Sequence, residues 1–149
     1  MEALALAQRP DLRGEAASRH LQAAVLSTLG RTTEAEVVCR EALQADPAST
    51  EAHYVLALCC EQTGRPDEAI ASLEAAMRLD PTFAMPPWQR GRLARRSGET
   101  ALAKEALLSA LRRLPEETPS RLVLFGGGFR REVLEAMCRA EWRACGGER

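Results

Sequence analysis

The chain has 149 residues, 46% hydrophobic, 28% charged and only 4% aromatic, which suits one domain or a short repeat array closed by small and aliphatic side chains. Beta-branched residues are scarce beside Ala, Leu, Glu and Arg, which favours helices over strands. Twenty Lys and Arg against 21 Asp and Glu leave a formal net charge of -1, too balanced for wholesale binding to nucleic acid.

No apolar run approaches the roughly 20 residues of a membrane span, and no charged start followed by an apolar stretch marks a signal peptide. The five cysteines, Cys39, Cys59, Cys60, Cys138 and Cys145, are odd in number and lack Cys-x-x-Cys spacing. They read as reduced thiols of a cytoplasmic protein.

An internal period organises the chain. Gly30, Gly64 and Gly98 stand 34 residues apart, and so do Ala35, Ala69 and Ala103; Ala42, Ala76 and Ala110; and Pro47, Pro81 and Pro115. In chain order, residues 1–15 look like the closing half of an earlier unit (Ala5, Leu6 and Pro10 match), as in a fragment of a longer protein. Three units follow, at 16–49, 50–83 and 84–117.

Each unit reads as helix, turn, helix, stop. In the middle unit, Glu51 to Thr63 is a helix-forming run, and Gly64 is placed to close it in the left-handed region. Pro66 suits the first turn of a second helix, which runs over Asp67–Leu79 and stops at Asp80-Pro81. Ala69 and Ala76, two turns apart on one face, let a neighbouring helix come close; Ala57 and Gly91 do the same on the first helices.

Residues 118–149 leave the period. A connector begins at Thr118-Pro119, Arg121 to Phe125 is a short apolar run, and Gly126-Gly127-Gly128 breaks it. A final helix is expected from Arg130 to Cys145, with Glu132, Glu135, Arg139 and Arg143 as its polar stripe and Val133, Leu134, Met137, Ala140 and Ala144 elsewhere. It fits a terminal cap; a docking or dimer helix is the other use.

The recurring Gly, Ala and Pro positions resemble the tetratricopeptide repeat (TPR) over residues 16–117. The resemblance implies an all-α, right-handed superhelical solenoid whose first helices line a concave groove. Where that family usually carries aromatics or leucine inside the first helices, this chain has Arg19, Gln22, His53, Cys60, Pro87, Arg90 and Ala94. Arg90 fits least well; it is expected to snorkel to solvent over its aliphatic stem.

Helical spacing then selects groove residues. The first unit offers His20, the second Glu51, Tyr54, Leu58, Glu61 and Gln62, and the third Met85, Trp88, Arg92, Arg95 and Arg96. His20, Tyr54 and Trp88 form a ladder with a basic end, and aromatics beside arginines are frequent binding anchors. The same spacing suits a Trp88 packed against the final helix with solvated arginines. Residues 50–83 carry net charge -4 and residues 84–117 net +3, a polarity that would orient a protein partner.

Features suggesting chemistry are sparse. Phe125-Gly126-Gly127-Gly128 lacks the spaced glycines of a dinucleotide loop and the Lys-Ser/Thr of a P-loop. His20 and His53, the two histidines, do not stand with cysteines at metal-ligand spacing. The expectation is a chain without catalytic residues, metal or cofactor. A carboxylate clamp of the chaperone-cofactor type fits poorly, because among His20, Ala24, Leu58, Trp88 and Arg92 only Arg92 suits it.

The stretches Tyr54-Val55-Leu56-Ala57, Gly64-Arg65-Pro66-Asp67-Glu68-Ala69-Ile70 and Leu79-Asp80-Pro81-Thr82-Phe83 are similar to the TPR region of CheR-type chemotaxis receptor methyltransferases (FrzF-like). That resemblance implies a regulatory fragment, with S-adenosylmethionine bound only in a separate catalytic domain. Its partner would be that domain or a chemoreceptor. The alternative is a free-standing scaffold or adaptor that takes a peptide or protein in its groove, without nucleic acid and without membrane insertion.

Overall fold

The computed structural model describes residues 12–147, with side chains from Arg19 onward. Ala5, Leu6 and Pro10, which suggested an earlier half-unit, lie outside the described residues. The fold is all-α: eight helices and a short 3-10 turn are present among the described residues, and no strand. The chain divides into two compact units between Leu79 and Asp80.

The first unit holds α1 (Leu12–Thr28), α2 (Thr32–Ala45), α3 (Thr50–Gln62) and α4 (Pro66–Leu79). Helices α1 and α2 pair, α3 and α4 pair, and α3 also packs on α2 and α1. In the second unit α5 (Met85–Arg96) pairs with α6 (Thr100–Arg113), which leads through the 3-10 turn Leu114–Glu116 to α7 (Pro119–Phe125) and α8 (Arg131–Ala144). Helix α8 packs on α6 and on the 3-10 turn.

The period in the sequence becomes repeated backbone geometry. Gly30, Gly64 and Gly98 hold φ of +79°, +73° and +78°, the left-handed region that favours glycine. After each, two N–H groups turn back onto the last carbonyls of the helix: Gly64 N–H to Glu61 at 3.2 Å and Arg65 N–H to Cys60 at 2.8 Å. Gly30 with Arg31 and Gly98 with Glu99 repeat this pattern, which satisfies carbonyls that a helix end leaves open. Helix α8 closes the same way at Gly146, with φ +93°.

Alanine contacts fill the space between paired helices. Ala35, Ala42, Ala69, Ala76, Ala103 and Ala110 are all 0% exposed. In the α5–α6 pair even a methyl group is too much at one point: a Cβ on Gly91 would lie 2.7 Å from Cγ of Leu107 and 3.3 Å from the Ala103 carbonyl oxygen. Polar ties supplement this packing. Arg65, just past the α3 stop, donates two hydrogen bonds to the Glu36 carboxylate on α2, and Arg40 donates to it as well. The Arg65 hydrogen bond, supported by Arg40, overcomes the opposing effect of burial and lowers the Glu36 pKa to about 2.

Three expectations need correction. The segment from Thr118 is a helix rather than a connector: the Thr118 hydroxyl accepts the Arg121 N–H at 3.4 Å and Pro119 occupies the first turn. Moreover, α7 starts at Pro119, 34 residues beyond the start of α5 at Met85, so it is a shortened first helix in phase with the repeats. Second, α8 buries Leu134 and Cys138 but half-buries Glu135, which was placed in the polar stripe, and leaves Val133, which was placed off it, 43% exposed. Third, Arg90 does not snorkel. It is buried, and its Nη1 has no hydrogen-bond partner among the described residues.

The start of α5 is bound to the segment that follows α6. Glu117, 3% exposed, accepts the Ala84 N–H at 2.7 Å and the Thr118 N–H at 2.9 Å. Arg121 pairs with Asp80 at 2.6 Å and lies 4.3 Å over the Phe83 ring, which in turn meets Phe125 at 5.5 Å. Burial raises the Asp80 pKa, but hydrogen bonds from Thr82 and Arg121 outweigh it and leave the carboxyl below its ordinary value.

Two outcomes follow from this packing. Gly91→Val should lower the unfolding free energy in urea by roughly 1–3 kcal/mol through overpacking against Leu107. Glu36→Gln should destabilise the protein at neutral pH. Because the folded-state pKa of Glu36 is depressed, its contribution is present above the ordinary 4.5 and fades as pH falls toward about 2. Denaturation curves of wild type and Glu36→Gln should therefore converge across that interval.

Candidate functional site

Helix α5 begins with Pro86 and Pro87 in its first turn, where absent N–H groups leave no bond unmade, and ends with Arg95 and Arg96, whose charge suits a helix C-terminus. Trp88, Arg92, Arg95 and Arg96 follow at helical spacing and share one side. The Arg92 guanidinium carbon sits 4.7 Å from the Trp88 ring centroid, a cation–π contact between successive turns.

A carboxylate from α8 completes the arrangement. Trp88 Nε1–H donates to Oε2 of Glu141, and Arg92 Nε–H donates to Oε1 at 2.9 Å. Each oxygen of the planar group thus receives one fixed donor. Around it, Arg92, Arg95, Arg96 and Glu141 line an open depression, with Arg95 and Arg96 exposed. Guanidinium groups of this kind are suited to hold planar anionic oxygens, as Arg92 holds those of Glu141.

The other expected groove residues are placed differently. Met85 and Trp88 are buried, so the packed alternative describes Trp88: its indole is covered and tied to the final helix, and only its neighbours on α5 reach solvent. In the first unit Tyr54 is also buried, while His20, Glu51, Leu58 and Glu61 are half-exposed. Gln62 accepts a hydrogen bond from the Thr32 hydroxyl at the start of α2 (2.6 Å), and Glu51 accepts one from Thr50 at 2.9 Å. The structure brings together Trp88, Arg92, Arg95 and Arg96 in the second unit.

Glu141 escaped the sequence reading. A signal was present: Leu134, Cys138, Glu141 and Cys145 are spaced four, three and four residues apart, so the inner stripe of α8 carries one acid. The thiols are shifted in both directions, Cys59 being lowered by its hydrogen bond with Cys39. All five cysteines are buried; burial pushes Cys138 up to about 12, and the hydrogen bond with Cys59, then burial, raises Cys39. Among the described residues no cluster of three His, Cys, Asp or Glu could hold a metal ion, and no helix is long and apolar enough to cross a membrane.

The fold is that of a helical repeat protein. Residues 26–91 match the tetratricopeptide repeat family model. Among curated proteins, the chain is 26% identical over 108 residues to the tetratricopeptide repeat and J domain-containing co-chaperone DNJ1 of Cryptococcus neoformans; the match covers 70% of this chain but 21% of that relative's length. Two solved structures share the fold at low identity. PcrH in complex with the chaperone binding region of PopD, where PcrH comes from Pseudomonas aeruginosa, gives a TM-score of 0.75 at 15% identity, covering 93% of this chain and 96% of that one. The Yersinia enterocolitica type III secretion chaperone SycD, in complex with a peptide of the translocator YopD, gives 0.68 at 18% identity, covering 86% and 89%.

The partly exposed Arg92–Glu141 pair should behave as a surface interaction. A double-mutant cycle on Arg92→Ala and Glu141→Gln, read by urea unfolding, should give a coupling of roughly 0.2–1 kcal/mol. The coupling should shrink at high salt.

Proposed function

We propose that this chain is a tetratricopeptide-repeat interaction module that holds a segment of a partner protein, as a scaffold or chaperone-like adaptor, and is not itself a catalyst. The observation that carries this reading is the exposed Arg95 and Arg96 beside Trp88 and Arg92, which are anchored to α8 through Glu141. Support also comes from the like-folded SycD and PcrH, which are seen with segments of YopD and PopD. On this reading the module works in the cytoplasm, needs no cofactor and takes no nucleic acid.

A narrower form makes it the regulatory region of a CheR-type receptor methyltransferase. Its support is the similarity of the stretches between Tyr54 and Phe83. S-adenosylmethionine would then sit in a separate catalytic domain, and the partner would be that domain or a chemoreceptor. A full-length gene without a methyltransferase domain removes this form and leaves the adaptor.

The interaction reading is tested by a photo-crosslinking amino acid placed at Arg95 or, as a control, at exposed Lys104 on α6 in the source cells. The expected outcome is a discrete protein adduct from position 95 that is absent from position 104. Equal profiles from both sites, or no adduct at 95, would overturn it.

A further inference from the structure

We propose that Cys39 on α2 and Cys59 on α3 are a site of reversible disulfide formation, at which a small hydroperoxide oxidises both thiols and the new bond ties the two hairpins of the first unit together. The cross-link is independent of the partner-binding reading.

The repeat register marks the pair. At the place of Cys39 the next two units carry Leu73 and Leu107, and at the place of Cys59 the units on either side carry Val25 and Leu93. A single cysteine in such a position is a small hydrophobe. Here both sides of one helix–helix contact are thiols. Cys39 lies between Ala35 and Ala42 on the buried face of α2, and Cys59 is likewise 0% exposed.

Neighbouring contacts fix how the two helices meet. The start of α2 lies against the end of α3: the Thr32 hydroxyl donates to Gln62 at 2.6 Å, and Arg65 Nη1–H donates to Glu36 at 3.0 Å. One turn on from Glu36 along α2 stands Cys39, and one turn back from Gln62 along α3 stands Cys59. The Cys39 thiol donates a hydrogen bond to the Cys59 sulfur. Thiols already in contact across packed helices need little backbone movement to bond. The same hydrogen bond, aided by Arg65 and opposed by burial and Glu36, lowers the Cys59 pKa and so favours the nucleophilic thiolate. In the second unit the Cys138 thiol instead donates to the Leu107 carbonyl at 3.5 Å, and Cys145 lies just past the end of the same helix.

The oxidation balances with one hydroperoxide. The Cys59 thiolate attacks a peroxide oxygen; an S–O bond forms, the O–O bond breaks, and the departing oxygen leaves as water or an alcohol with the proton Cys59 gave up. The Cys39 sulfur then attacks the sulfenic sulfur, so that S–S forms, S–O breaks, and the hydroxyl leaves as water with the Cys39 proton. The two thiols lose two electrons together, and the hydroperoxide gains them. Complete burial excludes bulky oxidants, so peroxide reaches the pair through local opening of the first unit. A dithiol reductant reverses the step by exchange.

The test treats the folded, reduced full chain with hydrogen peroxide, blocks the remaining thiols with N-ethylmaleimide, and reads intact mass and non-reduced peptide maps. The expected product has lost two hydrogens, contains a linked Cys39–Cys59 peptide, and returns to its starting mass in dithiothreitol. Closing a loop of about 20 residues should raise its thermal midpoint by roughly 5–10 °C. Cys39→Leu and Cys59→Val, taken from the equivalent places in the other units, should each abolish the loss of hydrogens. The wild-type map decides the matter even where a variant folds poorly. A link from Cys39 to Cys60, oxygen added to single cysteines without a bond, or a bond formed only in urea would overturn the site. So would a folded chain that peroxide leaves unchanged, while a bond that does not raise the midpoint would overturn the tie between hairpins.

Discussion

The constraint on which the helical pairs depend is the distance between their helices, set by side chains no larger than a methyl group. Ala35, Ala42, Ala69, Ala76, Ala103 and Ala110 are wholly buried, and Gly91 cannot accept even a Cβ without moving Leu107. At such separations dispersion contacts between backbones and short side chains do the work that aromatic rings do elsewhere. The scarcity of aromatics follows. Phe83 is the largest of the fully buried side chains, and it sits at the start of the second unit rather than between repeat helices.

What the sequence made legible is what repeats. Gly64, Ala69, Ala76 and Pro81 each have one physical task, and recurrence separates task from chance. Helix boundaries could therefore be read to within about a residue: Glu51–Thr63 was expected and Thr50–Gln62 is observed. Residues occurring once gave weaker signals. Thr118 as a helix cap, Glu117 as a buried acceptor and Glu141 as a ligand for α5 have no counterparts to compare, and each depends on contacts more than 30 residues away or on a turn that periodicity does not describe.

The groove residues show the same limit more sharply. Spacing puts Trp88, Arg92, Arg95 and Arg96 on one side of α5, because the helical period alone decides that. Whether the side faces water is decided by α8, a distant element. Trp88 is consequently an anchor inside the protein, whereas the charged residues that follow it remain at the surface. Arg90 is the complementary case. Its buried Nη1 lacks a partner among the described residues, a cost that no local pattern announces and that hydrophobic side chains of similar size would avoid.

The short helix α7 has a consequence for how order spreads through the second unit. Seven residues cannot sustain a helix alone in water, so α7 borrows its stability from the Phe83–Phe125 contact and from the Asp80–Arg121 pair. Those contacts originate at the turn that opens the last hairpin. Order at the beginning of α5 is thus handed to α7, whereas α8 rests on α6 and the 3-10 turn. Loosening at Asp80-Pro81 would be felt far along the chain at Arg121 and Phe125, while the alanine-packed α5–α6 pair, and α8 upon it, stays zipped.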